Sequence, residues 1–344
     1  MKKRINAFSK AIKQKKIDAF ILFDPANIRY LTGIDSRGIL LFTAKKEMVY
    51  FTSPIYKAYF DSFSQLKIII CKNNLLDQIP KELKKLKVKK VGFSENKISF
   101  QDYQRINEKI STHKINFIKS NSPLEKLRSI KSSSEIKLIK KAVSVSQQAL
   151  SYAEEISQNT TEKDLSIEIE RFLRLKSDNR TAFPSIVATG KNTVFPHHDP
   201  TETLISNFFL IDLGAMHCGY CSDLTRLFFW DKMPPLLRKA YNAIKKAQAT
   251  AIKRIREGVK ASEVDRAARE IIEKEGFGKY FLHGLGHGIG LEVHEKPYLK
   301  PNNSQPLKEG MVLTVEPAIY YKNLFGVRIE DMVVVNSRKC EVIS

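Results

Sequence analysis

Short apolar runs alternate with amphipathic stretches through the first 120 residues of the chain. The runs at 18–23, 38–43, 48–52, 67–71, 88–93 and 115–118 are rich in Ile, Val, Leu and Phe and predict strands. Between them, 54–63, 75–86 and 100–110 carry apolar residues at helical spacing. This alternation predicts an α/β domain built on a mixed or parallel sheet. Residues 119–134 are polar, hold Pro123 and end in a serine cluster, and predict a linker into a helix. Ser132 or Ser133 with Glu135 predicts a capped helix over 135–157, and Thr161 with Asp164 a second one to 176. Strands are expected at 184–188, 208–216 and 220–230, helices at 235–257 and 262–275, and strands again at 311–321 and 325–336. Helices interleaved with antiparallel strand pairs predict an α+β second domain. The expected division is 1–122 and 123–344.

Composition adds limits. At 344 residues, 42% hydrophobic and 28% charged, the chain fits a soluble two-domain protein. No apolar run nears the ~20 residues of a spanning helix, and the basic start leads into polar sequence, so a cytoplasmic protein with no membrane partner is expected. Four cysteines in a chain this long do not make a disulfide framework. The formal charge of +21, from 58 Lys+Arg against 37 Asp+Glu, suggests a polyanion partner. Its distribution argues against one. Residues 1–124 hold 25 basic and 10 acidic residues, whereas six of the seven histidines fall between His197 and His294. Basic surface and candidate chemistry occupy different parts of the chain, and nucleic acid is not the expected partner.

The candidate chemistry is acidic. Asp212 and Asp223 lie on two apolar strands around a polar turn at 217–219, in a register that would set the carboxylates directly across from each other. Glu316 and Glu330 repeat the device, with Asn323 at their midpoint. Buried acids are rare unless paired or metal-bound. Two such pairs, with His283, His287 and His294 in a glycine-rich run, point to a metal site. The run is not the zinc-helix motif, because glycine follows the first histidine. Cys218 and Cys221 have zinc or redox spacing, but Cys71 and Cys340 are distant and unpaired. The pair is read as incidental, and His217 as a turn residue.

The segments DLGAMHCGYCSDLTR, HGLGHGIGLEVHE, TVEPAIY and GVRIED together resemble the proline-specific peptidases, Xaa-Pro aminopeptidase and Xaa-Pro dipeptidase, of the pita-bread superfamily. The resemblance implies an α/β creatinase-like N-terminal domain and an α+β pita-bread metallopeptidase domain. It implies two divalent ions, Mn²⁺ first, with Co²⁺ or Zn²⁺ as alternatives, clamping a hydroxide. Asp212 would chelate one ion, Asp223 and Glu330 would bridge both, and His287 and Glu316 would complete the second. Glu316 would also shuttle a proton. His197, His283 and His294 would bind substrate and stabilise the intermediate. His197 is chosen over His198 because the related pattern reads His-Tyr-x-Pro. Arg328 would support a bridging carboxylate or the substrate, and Tyr320 would lie near the metals. The implied partners are a peptide with proline in second position and a second copy of the chain, with residues 35–37 as a contributor to the other subunit's site.

Three rivals are weighed. Methionine aminopeptidase lacks the α/β domain and a histidine at the place of His283. Creatinase works without metal, whereas all five metal positions are filled here. A binding protein on the same fold would use the basic N-terminal domain, but such relatives have lost metal ligands. Between aminopeptidase and dipeptidase, Tyr298 stands about where a dipeptidase is expected to place an Arg for the substrate's carboxylate. This favours an aminopeptidase, with Lys296 or Lys300 able to substitute for that Arg.

Overall fold

A computed structural model describes residues 1–35, 38–60 and 66–344, and the chain divides after Arg128. In the first unit, Met1–Arg128, the described strands are β1 (Ala19–Leu22), β2 (Gly38–Thr43), β3 (Met48–Thr52), β4 (Lys67–Ile70), β5 (Lys90–Phe93) and β6 (Asn116–Lys119). They lie in the order β4-β3-β2-β1-β5-β6. The β1–β2 and β2–β3 pairs are antiparallel and the other three parallel, so the sheet is mixed. Both faces are covered. Phe8 of α1 (Lys2–Gln14) packs on Phe20 and Phe42, with ring centroids 5.8 and 4.8 Å away. Ile79, Leu83, Ile106 and Ile110 share the opposite core with Ile21 and Leu41. Cover on both faces is why these strands read as continuous apolar runs.

Several elements of this unit differ from expectation. α1 and α2 (Pro25–Thr32) have no predicted counterpart; the buried apolar side chains of Lys-rich α1 are Phe8 and Ile12, too thin a stripe to stand out. The helix expected over 75–86 splits into a 3₁₀ turn, Leu75–Asp77, and α3 (Ile79–Lys85). Pro80 lacks the N–H that a through-running helix needs, and is tolerated in a first turn. The helix expected over 54–63 is a 3₁₀ segment, Pro54–Phe60; Phe63 lies outside the described residues, as do Ser36 and Arg37. α4 (Phe100–Ser111) forms as expected. The expected linker holds α5 (Pro123–Ser129). Leu124 is fully buried, and Arg128 donates to Asn27 at 3.0 Å and lies 3.6 Å from Asp24, so this helix up to Arg128 goes with the first unit, past the expected boundary at 122.

The second unit, Ser129–Ser344, starts with α6 (Ser133–Ile156) behind a capping box. The Ser132 hydroxyl accepts from the Glu135 amide, and the Ser132 amide donates to the Glu135 carboxylate at 3.0 Å. Thr161 caps α7 (Glu162–Lys176), and α8 (Pro235–Arg254) and α9 (Ala261–Lys274) follow the central strands. Each expected long strand is divided. Residues 208–216 give β8 (Phe208–Leu213) and β9 (Met216–His217), after β7 (Ile186–Thr189). Residues 220–230 give β10 (Tyr220–Cys221) and β11 (Leu224–Phe229). The glycine-rich run holds β12 (Gly286–Gly288) and leads into β13 (Glu295–Leu299). The C-terminal strands are β14 (Val312–Val315), β15 (Ala318–Tyr321), β16 (Phe325–Arg328), β17 (Asp331–Val334) and β18 (Glu341–Val342). They form sheets β11-β8-β7 and β13-β12-β14-β17-β18, with β9–β10 and β15–β16 as separate ladders. Ile244 and Ala247 of α8 and Ala268 of α9 bury one core with Leu313 and Val333; Ile139 of α6 and Ile169 of α7 bury another with Ile211 and Met332. Among the described residues no helix is long and apolar enough to cross a membrane.

Candidate metal centre

The first acidic pair departs from the expected register. Asp212 on β8 faces Thr225 on β11, not Asp223. The turn is the cause. Cys218 and Gly219 both take positive φ, 50° and 78°, as a two-residue type I′ loop requires. Asp178 clasps this loop, accepting both amides at 2.8 and 2.7 Å. The hairpin is therefore centred between 218 and 219, and Asp223 sits diagonal to Asp212 on the same face.

The second pair keeps the expected register. The β14–β17 and β15–β16 ladders share one register centred on Asn323, and Glu316 and Glu330 stand opposite each other in the gap between them. Pro317 offers no donor there. The Glu316 amide turns instead to the Leu285 carbonyl at 2.8 Å, and the Glu330 amide to the Thr225 carbonyl at 3.2 Å. These bonds tie the gap to the glycine-rich run and to β11, so three distant segments meet at one point.

At that point the donor atoms of Asp223, His287 and Glu330 all lie within 4.8 Å of one another. His287 Nε2 is 3.6 Å from Asp223 Oδ2 and 3.5 Å from Glu316 Oε1. Its Nδ1 is 3.1 Å from the Gly288 carbonyl, which can only accept. The proton therefore sits on Nδ1, and the Nε2 lone pair faces the acids. Asp212 is held by Arg328 at 2.6 Å. The same guanidinium donates to the Tyr320 hydroxyl at 2.7 Å, the Pro196 carbonyl at 3.2 Å and the Thr225 hydroxyl at 3.1 Å. Thr225 passes its own proton on to Glu330 Oε2 at 2.9 Å. Among the described residues, Asp212 Oδ1 and Glu330 Oε1 remain buried with no donor.

Burial, then mutual repulsion among the acids, pushes the Asp223 and Glu330 carboxyls well up, and burial pushes Glu316 up to about 8. Burial drives His287 and His283 down to about 4. Four carboxylates thus converge on one guanidinium, with two oxygens undonated and an imidazole lone pair aimed among them. That arrangement repels itself, and divalent cations would satisfy every part of it.

The other expected residues line a cavity of about 740 Å³ over this cluster: His197, His283, His294, Tyr320 and Arg328. His283 Nδ1 donates to the Gly284 carbonyl at 2.7 Å, which leaves Nε2 to accept from the Tyr320 hydroxyl at 3.3 Å. The His294 ring lies 4.3 Å from that of His287, centroid to centroid. His197 and His198 both line the cavity, and His198 Nε2 donates to Glu162 at 2.8 Å. Tyr298 and Lys300 both lie on the wall, with the ammonium 5.8 Å from the ring centre. Cys218 is exposed and Cys221 is buried, its thiol pushed up to about 12 by burial. Two contributors have no place among the expected site residues, Thr225 and Glu162. Thr225 was signalled by its position two residues after Asp223, which puts both on one face. Glu162 gave no signal beyond its place in a capped helix.

Residues 137–337 match metallopeptidase family M24, and residues 4–130 match the creatinase/prolidase N-terminal domain. The chain belongs to metallopeptidase family M24. Among relatives of this M24 chain, the Xaa-Pro dipeptidase of Pyrococcus furiosus is 32% identical over 340 residues, covering 97% of this chain and 95% of that one. The solved Xaa-Pro dipeptidase of Bacillus anthracis superposes with a TM-score of 0.93 at 32% identity, over 99% of this chain and 96% of that one. The X-Pro aminopeptidase of Thermotoga maritima gives 0.87 at 30% identity, over 97% of each chain. The M24 protein thus joins a creatinase-type N-terminal domain to a pita-bread catalytic domain.

Proposed function

We propose that this metallopeptidase is an Xaa-Pro aminopeptidase, which hydrolyses the bond between the first residue of a peptide and a proline in second position. The observation that supports this most is the cluster of Asp223, His287 and Glu330, with Glu316 3.5 Å from His287 and undonated oxygens on Asp212 and Glu330. In this reading Asp212, Asp223, His287, Glu316 and Glu330 would together hold two divalent ions. Hard carboxylates with a single imidazole suit Mn²⁺, with Co²⁺ or Zn²⁺ as alternatives. Ions held there would supply Lewis acidity toward the scissile carbonyl and make a water more acidic.

The chain's own side chains do the remaining work. Glu316 takes the proton of the attacking water and returns it to the leaving proline nitrogen. His197 and His294 donate hydrogen bonds to the carbonyl oxygen as charge develops on it. His283, with Nδ1 committed to Gly284, offers Nε2 as an acceptor and orients Tyr320. Arg328 fixes Asp212 directly and Glu330 through Thr225. A homodimer in the cytoplasm belongs to the same proposal, and sedimentation and cell fractionation check it.

A dipeptidase is the second reading, favoured by Lys300 on the cavity wall, a cation for a free carboxylate. Hydrolysis of Xaa-Pro dipeptides and Xaa-Pro-Yaa tripeptides by one Mn²⁺-loaded preparation separates the two. Tripeptide cleavage at least as fast as dipeptide cleavage is expected. Strict preference for dipeptides moves the assignment to dipeptidase, and no metal-dependent cleavage of either sinks both.

A further inference from the structure

Glu162 is the first residue of α7 and has no exposed surface, yet it does not line the cavity. A carboxylate so deeply buried is costly unless every oxygen is satisfied. Here five donors satisfy it. Oε1 accepts from the Thr189 amide at 2.7 Å and from Asn192 Nδ2 at 2.9 Å. Oε2 accepts from His198 Nε2 at 2.8 Å, the Thr201 amide at 3.1 Å and the Thr201 hydroxyl at 2.7 Å. All five come from the segment 189–201, the one that carries His197. The main chain repeats the attachment, because the Glu162 amide donates to the Thr203 carbonyl at 2.9 Å and the Lys163 amide to the Thr201 carbonyl at 3.0 Å.

The same segment is gripped from its other side. The Gly326 amide donates to the Thr193 hydroxyl at 2.7 Å, and Arg328 donates to the Pro196 carbonyl at 3.2 Å. Pro196 is thus tied toward the acid cluster and His198 toward α7. His197, between them, lines the cavity, as does His198, whose ring nitrogen donates to Glu162.

We infer that Glu162 is a positioning residue: the buried anion that fixes the 189–201 segment and so holds His197 over the acid cluster. The inference rests on the reading of His197 as a substrate-binding group. A side chain placed this way needs its supporting shell locked as well as its own rotamer. Glu162→Gln tests the lock with almost no change of shape, since one oxygen becomes an N–H₂ group that must face donors.

Two measurements on the full chain carry the test. The first is amide hydrogen exchange. In Glu162→Gln, protection at Thr189 and Thr201 is expected to fall while that at Val143, in the core of α6, stays as in the wild type. Unchanged protection at both amides overturns the inference, whether or not the protein cleaves peptides. The second is kinetics at matched metal content. Loss of kcat/KM by about 10- to 100-fold is expected, the scale of an ångström-sized misplacement. In a His197→Ala background the same change is expected to add no more than about twofold, because the effect travels through His197. An equal loss in both backgrounds marks a global effect and also overturns the inference. If Glu162→Gln does not fold, Thr201→Val removes one donor and is expected to move both readouts the same way, by less. A wild type without peptidase activity defeats the proposed function, while the exchange experiment still decides whether Glu162 anchors the segment.

Discussion

Two kinds of buried carboxylate occur in this chain, and their neighbours set them apart. Asp223, Glu330 and Glu316 face other acids, so burial and repulsion push them up. Glu162 is buried too, and burial alone would push it up, but hydrogen bonds from His198, Asn192, Thr201 and the Thr189 amide hold it below its ordinary value. The same desolvation is answered by donors in one case and awaits cations in the other. A carboxylate depressed in the folded state contributes stability that is present above the unfolded value and lost as pH falls through the folded one. The gap in denaturation midpoint between wild type and Glu162→Gln is therefore expected to be widest near neutral pH. It should narrow below about pH 4, where the unfolded carboxyl is already protonated. A gap independent of pH would mean that the charge of Glu162 contributes nothing.

Element geometry decides where the acids point. The Cys218-Gly219 turn sets the first hairpin and moves Asp223 off the position facing Asp212. Cys218 holds its φ of 50° at a steric cost that asparagine bears more easily. Cys218→Asn is expected to stabilise the protein by about 1 kcal/mol, the order of the left-handed penalty, with peptidase activity unchanged. Equal or lower melting temperature in that variant would count against the turn as the register-setting element. The glycine-rich run has a different logic. A Cβ on Gly286 would stand 2.1 Å from the Thr314 carbonyl oxygen, so β12 can lie against β14 only as glycine there. That close approach carries His287 to the acids. Glycine shows no periodicity in sequence, and Gly286–Gly288 form a strand because their neighbours' backbones hold them.

At the scale of the molecule, most of the excess basic charge and the acid cluster belong to different units of the chain. The first 124 residues hold most of the +21, while each residue assigned to the centre lies in the second unit. The centre's self-repulsion predicts a metal-dependent stability for the whole molecule. Mn²⁺ at about 100 times its dissociation constant is expected to add about 2.7 kcal/mol, and a chelator to remove it. Asp223→Asn should abolish that gain, and in chelator it should melt no lower than the chelated wild type, because one repelling charge is gone. Absence of any Mn²⁺-dependent shift in the wild type would falsify the metal assignment. By itself the sequence determined most of the strands and helices with strong periodicity, the capped start of α6, the register that sets Glu316 opposite Glu330 and the family the chain matches. These depend on neighbours a few residues apart, on alternation, spacing and caps. Only the tertiary structure decided that Arg328 holds Asp212 across 116 positions, that Thr225 links it to Glu330 across 105, and that Glu162 takes His198 on the segment that carries His197. Those choices rest on burial and hydrogen bonds between segments that chain order leaves far apart, and they exist only once the sheets have brought the segments together.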